Sequence, residues 1–105
     1  MCVGTSSKRL QANTASALSA IAKGSHENQD RIASIPGALK GLVNLMNSKN
    51  SLCQVKAANA IESLAQDNTE IQRLLEDRGA VRPLIKLLKV WSIPVKEQGK
   101  VLFLR

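Results

Sequence analysis

The stretch from residue 55 to residue 88 carries three runs of apolar residues at helical spacing. The first run follows the i, i+3, i+4 spacing of a helix with one buried face, and its members are Val55, Ala58, Ile61, Leu64 and Ala65. The second run comprises Ile71, Leu74 and Leu75, and the third comprises Leu84, Ile85, Leu87 and Leu88. Asp67 and Asn68 separate the first two runs, and Gly79, which can adopt positive φ after a helix, separates the last two. The pattern therefore predicts three helices joined by short turns.

The same pattern occurs about 42 residues earlier in the chain. At an offset of 43, Ala58, Ala60, Ile61, Leu64 and Ala65 of the long helix align with Ala15, Ala17, Leu18, Ile21 and Ala22. At an offset of 42, eight residues of the second and third runs and the turn between them align with eight earlier residues. The earlier residues are Ile32, Gly37, Ala38, Leu39, Leu42, Val43, Leu45 and Met46, and the later ones are Leu74, Gly79, Ala80, Val81, Leu84, Ile85, Leu87 and Leu88. The change of offset from 43 to 42 means that the first copy has one extra residue, and we place it in the joint at residues 24–28. A third copy begins at Val95-Lys96, and a period of this length is typical of helical repeat arrays.

Two segments of each copy carry a family resemblance. The long helices end in Ala17-Leu18-Ser19-Ala20-Ile21-Ala22 and Ala60-Ile61-Glu62-Ser63-Leu64-Ala65. The third helices start within Pro36-Gly37-Ala38-Leu39 and Arg78-Gly79-Ala80-Val81 and run to Leu45-Met46 and Leu87-Leu88. These segments resemble the armadillo-repeat family over about residues 8 to 105. Together with Pro94-Val95-Lys96-Glu97-Gln98-Gly99, the second segment is similar to the ankyrin-and-armadillo-repeat-containing subfamily. The resemblance implies an all-α, armadillo-type α-solenoid of two three-helix repeats plus the start of a third.

This interpretation divides the chain into four parts. Residues 1–7 are a disordered lead, residues 8–46 and 51–90 are the two repeat units, and residues 94–105 are the truncated start of a third unit. Repeat units bury their apolar faces on their neighbours, so two of them are marginally stable alone. We therefore expect a piece of a longer array packed on flanking repeats, or a chain that associates with its own copies through open apolar ends.

Capping residues predict where the helices begin. Ser6 or Ser7 caps the first helix and Ser25 or Asn28 caps the second. Ser51 and Gln54 form a capping box for the second long helix, and residues 67–70 form one for the helix that follows. The buried stripe of the first helix is predicted from its spacing to be Leu10, Ala17, Leu18 and Ile21.

Composition and charge narrow the class of protein. Tyrosine is absent, and Trp91 and Phe103 are the only aromatic residues, which disfavours an aromatic-rich sandwich or barrel. The net charge of +7 is spread along the chain without a run of like charge, so nucleic-acid binding is disfavoured. The chain has two cysteines, no signal peptide and no apolar run long enough to span a bilayer. We expect an intracellular protein, cytoplasmic or nuclear, without a membrane span.

No residue pattern points to catalysis, to a metal or to a cofactor. His26 is the only histidine and is interpreted as a solvated linker residue. Cys53 has no histidine near it in sequence and is interpreted as a half-buried structural thiol. Two cysteines and one histidine at scattered positions do not match the ligand spacing of a metal site, and no phosphate-binding glycine loop is present. The sequence therefore favours a protein that is not an enzyme.

The family resemblance implies a concave groove lined by the long helices. Its predicted residues share one helix face opposite the buried stripe: Asn13, Ser16, Ala20 and Lys23 in the first unit, and Lys56, Asn59, Ser63 and Gln66 in the second. The family's Trp and Asn pair for holding extended peptides falls on Ser16 and Ala20, Asn59 and Ser63, and Gly99 and Phe103. Both family residues are missing from all three pairs, so that peptide-holding role does not carry over.

Three hypotheses for function remain open. The first is an interaction scaffold that binds a protein or peptide segment along the groove, with solvated polar positions as the alternative interpretation of those residues. The second is a basic surface for nucleic acid or an anionic surface, made of Lys40, Arg82, Lys86 and Lys89. The third is a structural segment that only packs on neighbouring repeats.

Overall fold

The computed structural model describes residues 7–88, and every regular element among them is an α-helix. The helices are α1 (Lys8–Ala22), α2 (His26–Ala33), α3 (Ala38–Met46), α4 (Ser51–Ala65) and α5 (Thr69–Asp77), followed by a helical segment at residues 81–88 that we call α6. The all-α prediction is confirmed for this part of the chain. The predicted lead before Ser7, the predicted patch residue Lys89 and the predicted third unit at 94–105 lie outside the described residues.

Serine and asparagine side chains cap four of the helices. Ser7 Oγ accepts from the Leu10 N–H at 3.2 Å, and Ser25 Oγ accepts from the Asn28 N–H at 3.1 Å, as the sequence predicts. The predicted capping box at Ser51 is wrong, because Asn50 Oδ1 accepts from the Cys53 N–H at 3.0 Å and Ser51 is already helical.

The cap of α5 also differs from its predicted capping box. Asn68 Oδ1 accepts from the Ile71 N–H at 3.2 Å, whereas Asp67 lies before the cap with φ of 53°. Asparagine is a strong N-cap because its short side chain reaches the free N–H groups of the first turn. Asparagine therefore takes the cap at both α4 and α5.

Turn residues show which positions of α1–α3 and α4–α6 correspond. Gly24 and Asp67 both have positive φ, of 73° and 53°, and lie 43 residues apart. Gly37 and Gly79 have φ of 83° and 81° and lie 42 residues apart. The caps of α2 and α5 are also 43 residues apart. The extra residue of the first copy therefore lies in the turn that contains Pro36, and its predicted place at residues 24–28 is wrong.

The two long helices, α1 and α4, pack side by side through small residues. Ala12, Ala15, Ala57 and Ala60 are at most 1% exposed, so the two backbones can approach closely. Polar contacts support the same interface: Ser19 Oγ lies 2.7 Å from Ser63 Oγ, and Ser19 Oγ also donates to the Asn59 carbonyl at 3.3 Å. Helix α4 also contacts α2, α3 and α5, which makes it the centre of the described fold.

Cys53 belongs to the same interface. Its side chain is fully buried rather than half-buried, and its thiol donates to the Lys8 carbonyl at 3.3 Å. The thiol thereby gives a partner to a carbonyl in the first turn of α1. Its environment is that of a structural cysteine.

The predicted buried stripe of α1 is largely wrong. Leu10 and Ile21 are 45% and 51% exposed, Ala17 is exposed, and only Leu18 is partly buried. The buried residues of α1 are Ala12, Ala15 and Ala22. The cause is tertiary: α1 buries the side that faces α4, and no described helix covers the side that carries Leu10 and Ile21.

A buried glutamine joins α2 to α4 and α5. Gln29 is 1% exposed, and its Nε2 donates to the carbonyls of Ser63 at 2.9 Å and Gln66 at 3.1 Å. Its Oε1 accepts from Asn68 Nδ2 at 2.9 Å. The two carbonyls belong to the end of α4, where no further helical turn can supply N–H donors. Gln29 therefore gives a donor to the buried Ser63 carbonyl and to the carbonyl of the exposed Gln66.

Candidate interaction surface

The predicted groove residues form two adjacent rows, because they occupy the outer face of two helices that lie side by side. On α1, Asn13, Ala20 and Lys23 are exposed and Ser16 is partly buried. On α4, Asn59 and Gln66 are exposed and Lys56 is partly buried. We call this face the α1–α4 face, and it presents short polar side chains between lysines.

Ser63 is the member that departs from the predicted groove. It is 8% exposed, since its hydroxyl meets Ser19 and its carbonyl accepts from Gln29. Its side chain therefore serves the contact between the long helices and offers little surface to a ligand. Helical spacing alone cannot reveal this, because Ser63 lies at the edge of the row that is nearest α1.

Two further residues lie on the α1–α4 face and escaped the sequence analysis. Leu52 precedes Lys56 by one helical turn and is 47% exposed, and Arg9 precedes Asn13 in the same way and is exposed. Extending each row by four residues toward its N-terminus would have found both. With them, the described face holds three cations, Arg9, Lys23 and Lys56, and one exposed leucine. The exposed Glu62 lies one helical turn from both Asn59 and Gln66, at the edge of the row on α4.

The members of the second predicted surface lie on two different helices. Lys40 is exposed on α3, and Arg82 and Lys86 are exposed one turn apart on α6. The salt bridges found among residues 7–88 join Arg31 to Glu27 at 3.3 Å and Arg73 to Glu70 at 3.6 Å. They involve neither the basic patch nor the cations of the α1–α4 face, so both surfaces keep their positive charge available to an anionic partner.

The described residues hold no cluster suited to a metal ion, defined as three or more His, Cys, Asp or Glu side chains together. His26 is exposed at the first position of α2 and borders a small pocket of about 220 Å³ with Gln66 and Asp67. Within residues 7–88, no helix has the length and apolar content needed to cross a membrane.

No protein-family model, curated protein or solved structure matches this chain. The assignment of a function therefore depends on the residues and the geometry described above. On the α1–α4 face, two neighbouring helices bring together several polar side chains and cations that form no salt bridge among the described residues.

Proposed function

We propose that the chain is a non-catalytic protein-interaction module of the armadillo type, which binds an acidic segment of a partner protein along the α1–α4 face. The observation that carries the proposal is the composition of that face. Arg9, Lys23 and Lys56 surround short polar side chains, and Glu62 is the only acidic residue of α1 and α4. Cationic side chains on an open face favour an anionic partner and steer its approach.

The armadillo assignment is supported by the correspondence between the two halves of the described chain. The long helices α1 and α4 have 15 residues each, and each is followed by a residue with positive φ and a capped short helix. Helices α1 and α4 contact each other, as do α2 and α5, so corresponding elements are neighbours. Such stacking is how repeat proteins build extended binding faces.

The chemistry of the face favours a helical or acidic segment over an extended peptide held by its backbone. Holding an extended strand requires side-chain amides or sheet edges that pair with the peptide backbone. The positions of α1 that correspond to the family's peptide-holding pair are Ser16 and Ala20, which are too short to reach a peptide backbone. The amides of Asn13, Asn59 and Gln66 lie elsewhere on the face, without the paired spacing of the family. A helix laid across the two rows needs only close approach and complementary charge, and short side chains permit both.

Charge reversal provides the direct test. We expect the double variant Lys23→Glu, Lys56→Glu to bind a labelled acidic helical peptide roughly tenfold more weakly than the unmodified chain, because two attractive charges become repulsive. The matched control is Lys40→Glu, Lys86→Glu, which changes the net charge equally on α3 and α6. Fluorescence anisotropy at fixed ionic strength measures both, and the control is expected to lose no more than about twofold.

The same variants distinguish the competing functions. If a labelled duplex DNA binds more tightly than the peptide and the two double variants lose affinity equally, the general basic charge is responsible and the proposal fails. In that case binding also falls steeply with salt, because each phosphate contact releases counterions. If neither double variant changes any association, the chain is a structural segment.

A further inference from the structure

The last described helix exposes residues whose counterparts are buried. Val81, Ile85 and Leu88 on α6 are 49%, 49% and 54% exposed. The residues 42 positions earlier, on α3, are 2%, 5% and 2% exposed, and they are Leu39, Val43 and Met46. Both sets are apolar and lie at corresponding positions of their helices. The difference in their exposure therefore comes from what covers each helix. Helix α4 packs against α3.

On α1 it is the earlier residues that are exposed, and their later counterparts on α4 are buried. Cys53, Ala60 and Leu64 are fully buried on the side of α4 that meets the earlier helices. The residues 43 positions before them are exposed on α1, and they are Leu10, Ala17 and Ile21. Single exposed apolar residues are common on protein surfaces. Here the exposed residues form two sets. Those on α6 correspond to the α3 side of the contact between α3 and α4, and those on α1 correspond to its α4 side.

An open groove lies beside the exposed side of α1. It runs between α1 and α3 with a volume of about 500 Å³, and its apolar lining includes Leu18, Ala38, Leu42 and Leu45. The counterparts of three of these residues in the later half, Ile61, Ala80 and Leu87, are between 1% and 4% exposed, whereas Leu84, the counterpart of Leu42, is 38% exposed. At three of the four positions the later half is therefore more closed than the groove of the first half.

We propose that a second copy of this chain docks head to tail on the first. Helix α6 of one copy seats in the groove between α1 and α3 of the next, and α1 of that copy covers Val81, Ile85 and Leu88. The contact reproduces between molecules the junction that α3 and α4 form within one molecule. The proposal uses the exposed apolar residues of α6 and the groove between α1 and α3, and it does not use the cations of the α1–α4 face.

The chain's own segment 94–105 is a poorer occupant of the α6 face. In the register that aligns Val95 with Val55, Glu97 and Lys100 fall where Ala57 and Ala60 are fully buried. Burying two charged side chains there is costly unless each finds a partner. Helix α1 offers Thr14 and Ala17 at these positions, and the Thr14 hydroxyl already donates to the Leu10 carbonyl at 2.9 Å.

Head-to-tail contacts are heterologous, so each copy uses one end for each neighbour and the assembly can grow in a row. The net charge of +7 per copy opposes this growth. Salt screens that repulsion while it strengthens apolar burial, so association tightens as salt rises. Binding of an anionic partner weakens as salt rises, so the two proposals predict opposite salt dependences.

Two end-blocked variants test the geometry. Ile85→Glu places a charge on the α6 face, and Ile21→Glu places one on the exposed side of α1. By analytical ultracentrifugation the unmodified chain is expected to gain average mass with concentration, whereas each variant alone stays at the 11.3 kDa of a single chain. A one-to-one mixture of the two is expected to form a dimer and nothing larger, because each variant supplies the end that the other lacks.

Ile35→Glu is the matched control, since Ile35 is a similarly exposed apolar residue in the turn between α2 and α3 and does not line the groove. It is expected to associate as the unmodified chain does, and circular dichroism checks that all variants stay helical. The proposal is overturned if the unmodified chain remains monomeric up to about 1 mM, which excludes any tighter Kd. It is also overturned if the mixed variants do not associate, or if either variant self-associates as strongly as the unmodified chain.

Discussion

Replacing Leu64 by alanine is expected to lower the free energy of unfolding by about 2–5 kcal/mol, because the change opens a cavity in the centre of the core. Leu64 is fully buried on α4, the helix that contacts α1, α2, α3 and α5. The loss is a large share of the stability of a domain of this size. Urea unfolding followed by circular dichroism at low protein concentration measures it as a lowered midpoint, or as the loss of a cooperative transition.

Ile21→Ala is the matched control for Leu64→Ala. Ile21 occupies the corresponding position of α1 but is 51% exposed, so we expect its truncation to cost about 0.5 kcal/mol or less. The comparison isolates burial, since the helix position and the apolar character are the same. Equal losses at the two positions would contradict the described packing, because both side chains would then be buried in solution.

Replacing Gln29 by alanine is expected to cost about 1–3 kcal/mol, because it removes the donor of two carbonyls, of which that of Ser63 is buried. The carbonyls are those of Ser63 and Gln66. Gln29→Met keeps most of the side-chain volume and removes the donors, so it should lose nearly as much as Gln29→Ala if hydrogen bonding is the cause. Thermal and urea unfolding of both variants measure the effect.

Gln72→Ala provides the control for Gln29. Gln72 is the corresponding residue of α5, and its Nε2 donates to the Ala65 carbonyl at 2.8 Å, but its side chain is exposed. Water can replace that contact, so we expect a loss of about 0.5 kcal/mol. If Gln29→Met is as stable as the unmodified chain, packing alone holds α2 against α4, and the hydrogen-bond explanation is wrong.

The two proposed surfaces complement each other. Within one chain, α4 packs beside α1. In a head-to-tail assembly, α1 of the next copy packs beside α4 in the same way. The rows of the α1–α4 face would then continue from one copy to the next. A partner with several acidic segments would bind such an assembly with an avidity that one copy lacks. The Ile85→Glu variant removes that gain and leaves binding of a single segment intact, because Ile85 lies on α6, away from the α1–α4 face.

Several features of the fold were determined by local sequence. The helices, the caps at Ser7 and Ser25, and the turn glycines at 37 and 79 follow from spacing and backbone preferences within a few residues. The outer rows of α1 and α4 also follow, since helical periodicity alone places those residues on one face. These properties depend on neighbours in the chain, so they can be inferred without knowing how the helices pack.

Tertiary structure decided which apolar residues are buried and which polar residues are used inside the fold. Leu10 and Ile21 fit a buried stripe by spacing, yet they are exposed because burial depends on a covering helix and none of the described helices lies there. Ser63 and Gln29 are polar by sequence, yet both are buried because distant groups supply their partners. Spacing records which residues can share a face, and only packing determines what that face meets.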